Sequence, residues 1–146
     1  MVGSREARSA ARGFGGEGRV AMKVRGAALY PFVPSGANFP ASLAFAQDLG
    51  FEIAWQGDGL AGLMFGAAYF LLQDIDVPEW QSNQMLVLEV DDLDAYWGDI
   101  SAKQLENKYN GVKLKQPTDY PWGREIHVID PGGVCWHVRQ ERTDQA

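Results

Sequence analysis

Apolar and polar positions along the chain follow two periods in turn, and the succession occurs twice. Val24 to Val33 is β-like and ends at Pro34-Ser35-Gly36, after which Asn38 is placed to cap a helix with Pro40 in its first turn, running to Leu49. Gly50 ends that helix. Phe51 to Gln56 alternates, Gly57-Asp58-Gly59 turns, Leu60 to Phe65 returns, and Ala68 to Gln73 supplies a third strand after Gly66. The linker Asp74 to Asn83 contains Pro78 and Trp80. Gln84 to Val90 then reads as a strand entering Asp91-Asp92, a favourable helix start. Leu93, Trp97, Ile100 and Leu105 keep helical spacing, Val112 to Lys115 is a short strand, and Glu125 to Gln140 forms a closing hairpin. The pattern predicts an α+β protein of two βαβββ modules, residues 23–73 and 84–140, joined by the linker 74–83, with a weak internal repeat.

Residues 1–21 depart from this pattern. They are rich in Gly, Ala, Ser and Arg without a periodic apolar face, and are expected to form a flexible extension before a single domain spanning 22–146. The chain of 146 residues is 46% hydrophobic, which suits a globular domain with its own core. A net charge of −6 argues against nucleic acid as a partner, because such binding needs clustered Lys and Arg. No run of about 18 apolar residues is present, so no membrane association is expected, and the chain reads as cytoplasmic. A single cysteine, Cys135, excludes an intrachain disulfide and reads as a small buried hydrophobe. No nucleophile elbow or P-loop occurs, and Gly13-Phe14-Gly15-Gly16 has no strand before it.

Three segments in order carry a resemblance: Leu49-Gly50-Phe51 after the first helix, the junction Val90 to Trp97, and Trp122 to Gly133, which holds WGRE and DPGG. Together they resemble the glyoxalase, bleomycin-resistance and dioxygenase superfamily, the vicinal oxygen chelate fold, over roughly Val24 to Gln140. The resemblance implies paired βαβββ modules whose curved mixed sheets each form half of an open cup, with helices on the outer face. It also implies a homodimer with pockets built from two modules.

Metal-dependent members take ligands from the first and last strands of each module. Those positions fall near Ala28, at Met85, at Phe70 or Leu71, and at His137. Only His137 can ligate, and one histidine does not hold a catalytic metal. The Asp130-Pro131-Gly132-Gly133 sequence suits a tight turn. Such a turn would place His137 opposite Ile126 and Arg139 near Arg124, with His127 projecting to the other side. On this reading there is no metal and no cofactor, as the resemblance to the bleomycin-resistance branch implies. The expected activity is metal-independent binding or sequestration of a small aromatic or amphipathic molecule. The expected ligand-binding residues are His137, Arg124, Tyr30, Phe32, Phe70, Met85 and Trp122: aromatic walls for stacking and cation–π contact, and two polar anchors. The alternative is a metal-dependent lyase, isomerase or dioxygenase with a non-standard site that includes His137 and draws on Glu89 or Glu125. A third possibility is a scaffold whose cup is filled by its own side chains.

Overall fold

The first helix starts where Asn38 places its side-chain oxygen on the amide of Ala41, 3.1 Å away, with Pro40 inside the first turn. In the computed structural model, which describes residues 20–142, this α1 covers Phe39–Asp48. Strands β1 (Phe32–Pro34), β2 (Glu52–Gly57), β3 (Leu60–Phe65) and β4 (Ala68–Gln73) complete the first module in the order β1-β4-β3-β2, with β1 parallel to β4. The second module repeats it as β5 (Met85–Val90), α3 (Leu93–Ser101), β6 (Lys113–Tyr120), β7 (Gly123–Ile129) and β8 (Cys135–Gln140), in the order β5-β8-β7-β6. Asp92 caps α3 through the amide of Ala95. The expected α+β architecture of paired βαβββ modules is the one found.

Some boundaries differ from expectation. Instead of a strand from Val24, the described backbone before Phe32 forms no ladder, and pairing begins where the Leu71 amide donates to the Pro31 carbonyl. Gly26 disfavours extended pairing, and Pro31 and Pro34 have no amide to donate. The linker holds a short helix, α2 (Pro78–Asn83). The second long helix breaks after Ser101, since Gln104 adopts φ +58°, and resumes as α4 (Leu105–Lys108). Strand β6 reaches Tyr120, five residues beyond its expected end. The expected extension, residues 1–21, lies almost wholly outside the described residues.

Tyr30–Glu141 forms one compact unit. Alternation gives each sheet a closed face and an open face. The closed faces of both sheets, with α1 and α3, share one core. In it Phe70 and Phe51 meet Trp136 with ring centroids 5.3 and 5.7 Å apart, and Phe65 stacks on Tyr96. Tyr96 donates its hydroxyl to the Leu49 carbonyl at 2.7 Å, and burial raises its pKa. The modules also touch backbone to backbone: a Cβ on Gly36 would lie 2.8 Å from the Gly132 Cα, so side chains are excluded there. Because the closed faces meet, neither open face is covered by the rest of Tyr30–Glu141.

Candidate functional site

On the first sheet, alternation leaves Phe32, Met64, Tyr69, Leu71 and Trp55 on the open face. Phe32 is 54% exposed and Trp55 43%. Trp55 donates its indole N–H to the Tyr69 hydroxyl at 2.8 Å, bridging above Gly62. A Cβ on Gly62 would come within 2.4 Å of that indole nitrogen, so the bridge needs glycine beneath it. Tyr30 stands 4.4 Å from the Tyr69 ring, centroid to centroid. The result is an apolar platform with hydroxyl groups at its margin.

The second sheet presents a mixed face. Met85 and Val87 are 68% and 56% exposed on β5, beside Cys135, His137 and Arg139 on β8. Strand β7 adds Glu125 and His127, and β6 adds Lys115 and Tyr120. Trp122 stacks on Tyr120 at 5.0 Å, Tyr120 on His127 at 5.1 Å, and His127 meets His137 edge-on at 4.5 Å. The Lys115 ammonium lies 5.4 Å from the Tyr120 ring centroid, within cation–π reach. At the foot of this ladder Glu125 is 3% exposed. Its Oε1 is 3.0 Å from both His127 Nε2 and His137 Nδ1, and its Oε2 accepts the Trp122 indole N–H at 3.0 Å. Burial pushes the Glu125 pKa up, but the hydrogen bonds from His137, His127 and Trp122 outweigh it and hold the carboxyl below its ordinary value.

This arrangement corrects the expected hairpin register. His137 pairs with His127, Arg139 with Glu125, and Ile126 with Val138. The expected tight turn centred on Pro131-Gly132 is present, the Gly133 amide donating to the Asp130 carbonyl at 2.9 Å, but the strands do not close directly around it. The Asp130 amide instead donates to the Val134 carbonyl, leaving the three-residue loop Pro131–Gly133, with Gly133 at φ +98°. Asp130 holds this longer loop by accepting from the amides of Gly132 and Val134 at 2.9 Å and from the Trp136 indole at 3.0 Å. A slip of one residue exchanges the partners facing each other across the strands. His127 therefore stands beside His137 instead of projecting away.

Of the expected ligand-binding residues, Tyr30 and Phe32 lie exposed on the first sheet's side, and Met85 and Trp122 lie exposed on the second's, where His137 is half-buried. Two are corrected. Phe70 is buried in the shared core against Phe51 and Trp136, because alternation turns it to the closed face. Arg124 turns toward α3, where it pairs with Asp94 at 2.7 Å, and the arginine on the open face is Arg139, paired with Glu89 at 3.2 Å. Cys135 is half-buried, and burial, with the charges of Asp130 and Glu125, pushes its thiol pKa up, which disfavours a nucleophile. Trp55, Tyr69 and Tyr120 were not among the expected site residues. Tyr69 adjoins the core residue Phe70 in an apolar strand run, so only the closed-face assignment reveals it, and Trp55 lies on β2, whose residues are all exposed. A cavity of about 510 Å³ lined by Trp97, Ser101, Gln104, Leu105, Leu114 and Gln116 lies beside α4 and includes none of the exposed open-face aromatics.

No protein-family model matches the sequence, and no curated protein is significantly similar to it. Among solved structures, the chain is similar to the bleomycin-binding protein of bleomycin-producing Streptomyces verticillus in complex with copper(II)-bleomycin, with TM-score 0.69 and 24% identity, covering 82% of this chain and 99% of that one. It is similar to a bleomycin resistance determinant encoded on the transposon Tn5, with TM-score 0.69 and 22% identity, covering 80% and 99%. It is also similar to the fosfomycin resistance protein FosX of Listeria monocytogenes with Mn(II) and sulfate, with TM-score 0.63 and 13% identity, covering 83% and 94%. The chain thus carries the vicinal oxygen chelate fold, the one its sequence resemblance implied, shared by glyoxalases and bleomycin-resistance proteins.

Proposed function

We propose that the protein binds and sequesters a small, planar, aromatic or amphipathic molecule on its open sheet faces, and that this binding does not require a metal. The observation that carries the reading is the exposure of Phe32, Trp55, Met85, Val87 and Trp122 on two uncovered faces or at their margins. Large exposed apolar side chains grouped on a sheet face mark a binding site or an interface. Here both roles combine if the first sheet of one copy faces the second sheet of another, as a homodimer. The cup then has an aromatic floor around Trp55 and Tyr69, opposed by the Trp122–Tyr120–His127 ladder. Stacking would supply the affinity, with His137, Arg139 and Lys115 as polar anchors. The net charge of −6 favours approach of a cationic ligand. Similarity of fold to bleomycin-binding proteins supports the same class of activity.

Titration of chelator-treated protein with planar cationic compounds, bleomycin first, followed by tryptophan fluorescence, tests the reading. Saturable quenching at one ligand per chain, with a light-scattering mass of two chains, is the expected result. Absence of saturable quenching across the panel would count against it.

A further inference from the structure

The aromatic reading uses His127 as a stacking surface and His137 as an anchor, but gives no role to their shared contact with the buried carboxylate of Glu125. We propose that Glu125, His127 and His137 form a site for a divalent first-row transition ion, with its remaining coordination positions facing out of the sheet.

One donor atom from each residue lies within 4.8 Å of the others, and the two imidazole nitrogens converge on a single carboxylate oxygen at 3.0 Å. Metal–ligand distances of 2.0–2.2 Å correspond to donor atoms about 3.3 Å apart in a tetrahedral arrangement. Opening the carboxylate contacts by a few tenths of an ångström would meet this for Glu125, and the imidazole nitrogens already lie within 4.8 Å of each other. The backbone is already fixed, since Glu125 and His127 lie two residues apart on β7 and His137 is the ladder partner of His127 on β8.

The outer atoms of the three donors form a second observation. His127 Nδ1 lies 3.4 Å from the Tyr120 hydroxyl, His137 Nε2 lies 3.7 Å from Cys135 Sγ, and Glu125 Oε2 accepts from Trp122. Partners of this kind orient ligating imidazoles, hold the tautomer that turns a lone pair to the metal, and orient a ligating carboxylate. Two imidazoles and a carboxylate favour zinc, cobalt, nickel or iron over magnesium or calcium, which prefer all-oxygen sites. Both histidines are partly exposed while Glu125 is buried, so the open positions face where a second molecule would bind. Only His137 coincides with a metal position that the family resemblance implies. Glu125 and His127 enter from β7, which the resemblance does not assign.

The full chain, stripped with chelator and dialysed, is titrated with Zn(II) by calorimetry and with Co(II) by visible absorption. The proposal predicts one ion per chain and Co(II) ligand-field bands showing nitrogen coordination. Loss of an outer partner usually costs about 10- to 100-fold in metal affinity, so His127→Ala and His137→Ala should each lose at least about 100-fold. Glu89→Gln, on the same face, should change nothing. His137→Asp, which keeps a donor, should retain Co(II) bands and guards against simple misfolding, alongside circular dichroism of each variant. No saturable binding, or equal affinity in wild type and both histidine-to-alanine variants, overturns the site. Because ligand quenching is measured on stripped protein, either result stands without the other.

Discussion

The two open faces are built by the same βαβββ succession and yet present different chemistry. On the first, Phe32, Met64, Trp55 and Tyr69 make an apolar platform whose hydrogen bonding is confined to the Trp55–Tyr69 bridge. On the second, the corresponding strands hold a buried carboxylate between two imidazoles, flanked by a stacked Trp122–Tyr120 pair. The closed faces show no such divergence, since both are apolar and meet in one core. Folding constrains the closed faces alike, whereas each open face is free to specialise. Opposed across two copies, one face would supply stacking area and the other polar anchors.

The largest expected effect lies beneath both faces. Trp136→Ala removes the ring that joins Phe51 and Phe70 to the second sheet, and should lower unfolding free energy by about 3–5 kcal/mol in urea denaturation. A single transition probed from both sheets would confirm a shared core, and two separate transitions would mean the modules are independent. Next is the first face itself. Trp55→Ala should weaken binding of a planar cation by about 10-fold or more while leaving Zn(II) affinity unchanged. Equal loss of both would show that the faces do not divide the work. Gly62→Ala intrudes beneath the same indole and should destabilise by about 1 kcal/mol, with the Trp55–Tyr69 hydrogen bond lost in a crystal structure of the variant.

The smallest effect is a control on the closed side. Burial pushes the Asp48 carboxyl up, but hydrogen bonds from Lys108 at 2.8 Å and Tyr109 at 2.6 Å outweigh it and hold its pKa below the ordinary aspartate value. A depressed folded pKa stabilises above the unfolded value, and that stabilisation is lost as pH falls through the folded one. Asp48→Asn should therefore flatten stability against pH on the acid side, by less than about 1 kcal/mol given partial screening. Neither open face should respond.

Much of this architecture was legible from alternation and punctuation. Asn38, Gly50 and Asp92 mark helix ends, and β3 and β4 fall within their predicted bounds, because caps and positive-φ glycines act locally. The missing strand before Phe32 was not legible, because a strand requires a partner and β4 offers β1 only Leu71–Gln73. The site failed at one residue of turn geometry. Asp130-Pro131-Gly132-Gly133 permits a two-residue turn as readily as the three-residue loop that Asp130 stabilises through Val134 and Trp136. That choice decides whether His127 or Ile126 faces His137. Phe70 was misplaced because an aromatic in an apolar strand run does not disclose which face is closed.

The central claim is that the uncovered aromatic faces bind a planar ligand, and its most direct test is a fluorescence titration of metal-stripped full-length protein with bleomycin and simpler planar cations. Saturable quenching at one site per chain, weakened in Trp55→Ala and in Phe32→Ala, is predicted. Unsaturable quenching, or equal affinity in both variants and wild type, would contradict it.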